Sequence, residues 1–254
     1  MNLKGFENLA RHVPDLYSTT GRIKIVASFF GIFALTSLYF IITDNIPTWT
    51  LDSQIVVMSL GYLILSRFFT QKEKFIKTYG SDSYRQAFGR FTLPGLAIIF
   101  ASVAHIAYMN GPKLTQPAIT TIFTWLGWLC IIIGVTLWLR AVSTFGVDNL
   151  TMLYVYFPEE GSMVNSSIYG IIRHPIYGAA LRLSIGLALL NRGIYPLTFI
   201  VLLPLIVFGW VRLVEEKELL KRIPVYAEYR KRVPAFFPSP NRIIDFFKYL
   251  ITGK

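Results

Sequence analysis

Residues 117–139 read PAITTIFTWLGWLCIIIGVTLWL, twenty-three residues without a charge before Arg140. A helix needs about 20 apolar residues to cross the hydrocarbon of a bilayer. A second run, IKIVASFFGIFALTSLYFII (23–42), carries no charge after Lys24. It is too long for a signal-peptide core and a polar segment precedes it, so it reads as a retained span. Working outward from these two, the apolar stretches fall at 23–43, 49–69, 91–110, 117–140, 176–193 and 194–214. The last two meet at Asn191-Arg192-Gly193, a tight turn, and predict a helical hairpin. The fold class expected is an all-α integral membrane protein of about six transmembrane helices.

Composition agrees. Of the 254 residues, 15% are charged and 54% hydrophobic, whereas a soluble domain carries about 25% charged residues. This excludes disorder and argues against an ordinary soluble globule. The net charge is +11, which on a soluble chain would suggest nucleic acid. Here it reports topology and contact with an anionic leaflet, and no nucleic-acid partner is expected. Placing the N-terminus inside puts Lys4, Arg11, Arg22, Lys24, Arg67, Lys72, Lys74, Lys77, Arg85, Arg90, Arg140 and Arg173 on inner segments. Only Lys113 and Arg192 remain outside. Both termini are thus expected in the cytosol, with the polar segments 70–90, 141–175 and 215–254. The reading is one membrane domain over 1–254, with four N-terminal spans in 23–140 and a chemical core in 161–238. The tail 239–254 contains RIIDFFKYLI (242–251), an amphipathic interfacial helix or a frayed end. Segment 70–90 reads as a solvated basic loop.

Few groups carry chemistry. The single cysteine, Cys130, excludes an internal disulfide and reads as a small buried hydrophobe. His12, His105 and His174 lack the spacing of metal ligands, and no metal is expected. His105 reads as a packed histidine sharing a hydrogen bond between helices. The informative stretch opens with GSMVNSSIYGIIRHPIYGAALRLSIG (161–186). Pro175 suits the first turn of a helix, whose N-terminus presents free N–H groups. His174, Gly178, Arg182 and Gly186, four apart, form a drifting stripe on that helix. Arg182 should face the bundle, because an intramembrane cation is costly. It is a candidate for the substrate, or else an ion-pair member.

The last span ends in GWVRLVEEKELLKR. Arg212 and Glu216 are one turn apart, with Glu215 beside them. An arginine and two carboxylates can serve a zwitterionic ligand, the Glu taking an ammonium and the Arg fork a carboxylate. They can equally form a solvated ion pair. In VYAEYRKRVPAFFPSP, Pro224 breaks the preceding helix. Tyr226, Tyr229 and Arg230 follow, with the tyrosines either closing over a ligand or anchoring the chain at headgroup level.

Taken together, IYGIIRHPIYG (168–178), a membrane hairpin, EEKELL (215–220) and YAEYRKRVPAFFP (226–238) resemble the isoprenylcysteine carboxyl methyltransferase family. Its wider group includes phospholipid and small-thiol methyltransferases. The resemblance covers about the last third of the chain. It implies S-adenosyl-L-methionine as cofactor, held at the cytosolic ends of the last two spans and the C-terminal segment. Val164, Tyr169 and the residues Arg173, His174, Pro175 and Tyr177 would line the cofactor site. Glu215 or Glu216 would hold the methionine ammonium, Arg212 would stand near the reacting group, and Arg212 with Glu216 would be catalytic. The family often has Gly where this chain has Ser167, and Phe-Gly where it has Ile223-Pro224.

The reaction implied is in-line methyl transfer to N, O or S, in which desolvation and alignment matter more than acid–base chemistry. The acceptor is lipophilic or small: an isoprenylcysteine-like carboxylate, a lipid amine or a thiol. Two other readings are an NADPH-dependent membrane reductase of the sterol type, and a non-enzymatic transporter subunit or sensor.

Overall fold

The computed structural model describes residues 4–253. Helices dominate, and the β-structure among these residues is a single bridge, Lys113 to Gly193. The first half contains α1 (Phe6–His12), α2 (Thr19–Thr43), α3 (Thr50–Thr70), α4 (Lys72–Tyr79), α5 (Ser83–Ala87) and α6 (Leu93–His105). The second half contains α7 (Pro117–Phe145), α8 (Val147–Leu150), α9 (Pro175–Asn191), α10 (Ile194–Trp210), α11 (Glu216–Arg222), α12 (Tyr226–Arg232) and α13 (Ile243–Thr252).

Five helical runs are long and apolar enough to cross a membrane: Thr19–Thr43, Thr50–Thr70, Lys72–His105, Pro117–Phe145 and Ile194–Arg222. The remaining expected span, the fifth in chain order at 176–193, is the 17-residue α9, about 26 Å long at ~1.5 Å per residue. Its surroundings explain the shortness. Ten of its residues are buried, whereas little of α2 or α7 is buried. An interior helix is solvated by protein and need not match the hydrocarbon thickness. The fit of α9 against α7 rests on glycine. A Cβ on Gly186 would stand 2.7 Å from the Gly127 carbonyl, and one on Gly134 3.1 Å from the Leu183 amide. Small residues let helix backbones meet in the absence of a hydrophobic drive between them.

Two limits shift. The third run ends at His105 rather than 110, and it is helical from Lys72. Segment 70–90 is therefore not a loop. Phe75 and Tyr84 are 4% and 0% exposed and join Leu9, Phe68, Leu153 and Tyr156 in a core at one end of the bundle. Its lysines remain solvated while the aromatics pack, which is amphipathic behaviour. Cys130 is only partly buried, because α7 turns much of its surface outward. The tail is no frayed end. In α13, Phe246, Tyr249 and Leu250 pack against α7 and the 168–172 segment, while Ile244 and Ile251 are fully turned out, at 82% and 79% exposure.

The turns sort to two ends. At one, Leu114 N–H donates to the Arg192 carbonyl and Ile194 N–H to Pro112. Asn191 there donates to the carbonyls of Ile106, Ala107 and Met109. His105 is fully buried at this end, 2.7 Å from Gln54 Oε1 and 3.1 Å from Asp44 Oδ2. The other end gathers α1, α4, α5, segments 147–174 and everything beyond Val211.

Candidate active site at the carboxylate pair

The hairpin α9–α10 leaves the bundle and returns to the same end, so the N-terminus of α9 meets the C-terminus of α10. His174 and Glu216, 42 residues apart, come within 3.2 Å. The meeting is shaped by a π-helical turn over Val211–Glu215. Such turns are rare and widen the helix locally. This one delivers Glu215 and Glu216 side by side under α9.

Glu216 is 1% exposed. Its Oε1 accepts from Arg173 Nε at 2.7 Å and lies 3.2 Å from His174 Nε2. The Tyr226 hydroxyl donates to the same oxygen at 3.3 Å. Its Oε2 lies 3.7 Å from Arg230 Nε and 4.0 Å from Arg212 Nη1. Glu216 is thus the centre of a ring of cations. Glu215, 20% exposed, has lighter company. It accepts from the Tyr177 hydroxyl at 2.6 Å, and His174 Nδ1 stands 3.5 Å away. Burial pushes the His174 imidazole toward its neutral form. Hydrogen bonds and charge from Glu215 and Glu216 outweigh this, and its pKa lies above the ordinary histidine value.

A strap from the C-terminal segment fixes the RHP stretch. Arg173 N–H donates to the Pro234 carbonyl and His174 N–H to Ala235, both at 2.9 Å. Arg173 Nη1 donates to the Val233 carbonyl at 2.5 Å. Pro175 follows as the first residue of α9, where its missing N–H is no loss.

Of the residues expected from the sequence, Arg173, His174, Tyr177, Arg212, Glu215 and Glu216 come together. Val164 and Tyr169 form the neighbouring wall. Tyr169 stacks on Phe145 at 4.9 Å, and its carbonyl accepts from the Tyr229 hydroxyl at 2.5 Å. Tyr226 and Tyr229 are therefore buried hydrogen-bonding groups, not headgroup anchors. Arg182 goes elsewhere. It is 9% exposed, and its Nη1 donates to the carbonyls of Gly178 and Phe236 at 2.7 and 3.2 Å. Phe237 and Phe246 cover the guanidinium at 4.7 and 5.3 Å. Its role here is to fasten the strap and α13 to α9, with carbonyls and rings in place of a carboxylate.

Two participants are named in the sequence reading but given no role there. Arg230 reaches Glu216 from α12, and the strap carbonyls of Val233–Ala235 hold the RHP stretch. Neither leaves a local signal, since both depend on how the chain returns after Pro224. One departure did leave a signal. Ser167 adopts φ 56°, a left-handed backbone that suits glycine and costs other residues roughly 1–2 kcal/mol. The family's frequent glycine at this place meets that geometry without cost.

Comparison with known proteins adds a likeness over part of the chain. Residues 122–225 match the family model for phospholipid methyltransferases. The match holds α7 from residue 122 on, α9, α10, the RHP stretch and both glutamates, and stops one residue before Tyr226. A 116-residue stretch is 29% identical to the cobalt-zinc-cadmium resistance protein CzcN of Cupriavidus metallidurans, covering 45% of this chain and 52% of that protein. The chain therefore spans about half the length of that relative. No solved structure matches.

Proposed function

We propose that this multi-pass membrane chain is an S-adenosyl-L-methionine-dependent methyltransferase acting on a lipophilic or small acceptor. The observation that carries the reading is the unequal pair of carboxylates. The donor set fits the α-amino acid end of that cofactor. Glu216 is already neutralised by Arg173 and His174, whereas Glu215 is partly open and faces one phenol and one imidazole. Glu215 is therefore assigned the ligand's ammonium. Arg230, which meets Glu216 only at 3.7 Å, keeps much of its fork for a carboxylate. When bound, the cofactor supplies a methyl group activated by a positive sulfur. The chain's own work is to hold the zwitterionic end, exclude water with the 233–237 strap, and align the acceptor. Arg212, at the open side of the hub, is assigned to the acceptor. Val164, Tyr169 and Tyr177 form walls of the cofactor site.

The test is a calorimetric titration with S-adenosylhomocysteine and, separately, NADPH. S-adenosylhomocysteine is expected to bind and NADPH not to; the reverse would favour a reductase, and binding of neither would favour a transporter subunit or sensor. Glu215→Gln keeps the shape and removes the charge. A hydrogen bond to a charged group contributes ~1.5–3 kcal/mol, and the lower figure applies to this partly exposed group. Affinity for S-adenosylhomocysteine should fall about tenfold. Wild-type affinity in this variant would remove Glu215 from the site.

The basic end of the bundle, which carries the carboxylate pair, is assigned to the cytosol on the distribution of lysine and arginine. Reporter fusions at Lys113 and Arg192 should read external, and those at Lys77 and Lys221 internal. A cytosolic signal at Lys113 would invert the assignment.

A further inference from the structure

Helix α13 meets three different surroundings. At about 100° per residue, Phe246, Tyr249 and Leu250 fall in one sector and pack on α7 and the 168–172 segment. Ile243, Ile244, Phe247 and Ile251 fall in the next and are exposed. Asp245, Lys248 and Thr252 form the third, which is exposed and polar. A helix lying on a protein in water needs only two sectors, apolar inward and polar outward. Here the second apolar sector carries Ile244 and Ile251, the most exposed large apolar side chains among the described residues.

The level of this sector along the bundle indicates what covers it. The Arg140 guanidinium donates to the Ile251 carbonyl at 3.2 Å, and Arg140 is the first charge after the apolar run of α7. The Ile251 end of α13 therefore lies where α7 leaves the hydrocarbon. Ile132 and Leu139 of α7 are turned outward before that point, so the stripe on α13 continues the lipid-facing surface of α7. At the other end of α13, Arg242 Nη1 donates to the Gly170 carbonyl at 3.2 Å, outside the start of α9. Asp245 is engaged by Arg242, whereas the Lys248 ammonium has no partner among the described residues. Cations at both edges of an apolar stripe match the phosphate layer of a bilayer, where basic side chains reach headgroups while their neighbours reach acyl chains.

The inner face of α13 ties this seat to the strap. Phe246 lies 5.3 Å from the Arg182 guanidinium, which donates to the Phe236 carbonyl. Pro234 and Ala235, just before it, accept from the Arg173 and His174 N–H groups. We propose that α13 is a wedge seated in the leaflet at the carboxylate end of the bundle, with Ile244, Phe247 and Ile251 among acyl chains and Lys248 and Arg140 at lipid phosphates, and that this seat holds the 233–237 strap against Arg173 and His174. An ordinary interfacial helix gives its whole apolar face to lipid. This one divides its apolar arc between lipid and bundle, which lets the leaflet act on the strap.

The test uses the full chain with Cys130→Ala, carrying a nitroxide at Ile244→Cys, Ile251→Cys or Asp245→Cys, in bilayers of phosphatidylcholine and phosphatidylglycerol. Collision rates are measured with oxygen, which concentrates in lipid, and with a nickel chelate, which stays in water. Labels at 244 and 251 are expected to favour oxygen, and the label at 245 the chelate. Equal chelate access at all three positions would place the stripe in water. Shielding of 244 and 251 from both reagents would place a second copy or another protein there. Either result overturns the proposal. The link to the strap has its own readout. Ile244→Asp with Ile251→Asp puts charge into lipid, and hydrogen exchange at the Arg173 and His174 amides should rise about tenfold while the amides of α10 keep their protection. Ile244→Leu with Ile251→Leu should leave exchange unchanged. If the Asp pair does not assemble, Ile244→Ser with Ile251→Ser should show the same rise in smaller degree. Unchanged exchange in the assembled variant would overturn the link. Neither readout involves cofactor or acceptor, so the methyltransferase reading stands or falls separately.

Discussion

Replacing Glu216 by Gln should cost the fold about 3–5 kcal/mol, the amount lost when one partner of a buried ion pair is removed. The group is 1% exposed and sits among Arg173, His174, Arg212 and Arg230. Gln keeps the volume but offers one acceptor oxygen and two unwanted donors to a ring of cations. The Arg173 guanidinium, 10% exposed, then has no carboxylate partner. For a chain of this size the loss lowers the melting temperature by roughly 10 °C. The pH profile gives a second signature. His174 has a folded pKa above the unfolded value of about 6.5. Its charged form therefore contributes stability that is complete below that value and is lost as pH rises through the folded pKa. Glu216 is one of the two groups that raise it. In the Gln variant the alkaline loss of stability should be shallower than in wild type, with Glu215 sustaining the rest. A melting temperature within 2 °C of wild type at neutral pH, with an unchanged alkaline slope, would mean that Glu216 is not the hub.

The contrast between neighbouring glutamates shows what a sequence can and cannot carry. Counting residues along the hairpin is enough to bring Arg173 and Glu216 to one end, because two helices of equal length return the chain to its starting level. It cannot rank Glu215 against Glu216, because their division of labour depends on the π turn at Val211–Glu215 and on Arg230 arriving from α12. Hydropathy identified the spans, and placed α9 within two residues of its limits, but could not show that α9 is an interior helix, since hydropathy does not distinguish protein from lipid as an apolar neighbour. In 70–90 the charge count hid the buried pair Phe75 and Tyr84. Arg182 was legible as bundle-facing. Besides the Gly178 carbonyl one turn back, its partners, the Phe236 carbonyl and the rings of Phe237 and Phe246, lie more than fifty residues away, in a segment whose path no local pattern specifies.

Arg212 separates chemistry from binding. Arg212→Lys keeps the charge, removes the planar fork and moves the cation. The structure weakens the plainer account in which Arg212 serves only as the i, i+4 partner of Glu216. Their contact is 4.0 Å, and Arg212 is half exposed. Glu216 already receives closer bonds from Arg173 and His174. An ion pair of that kind is worth less than about 1 kcal/mol, and lysine would replace it with little loss. If Arg212 aligns the acceptor, the Lys variant should retain S-adenosylhomocysteine affinity within a factor of about two. Its turnover should then fall ~100-fold, the effect of a reacting group misplaced by about 1 Å. The two quantities must come from one protein preparation, with turnover taken at saturating cofactor. The fall should appear in kcat as well as in kcat/KM, because an interaction that matters only at the transition state is lost from both. Near-normal turnover would return Arg212 to the surface and move the acceptor elsewhere in the hub. Arg230 would then be the next arginine to substitute, since Arg182 is committed to the strap that closes the site from the other side.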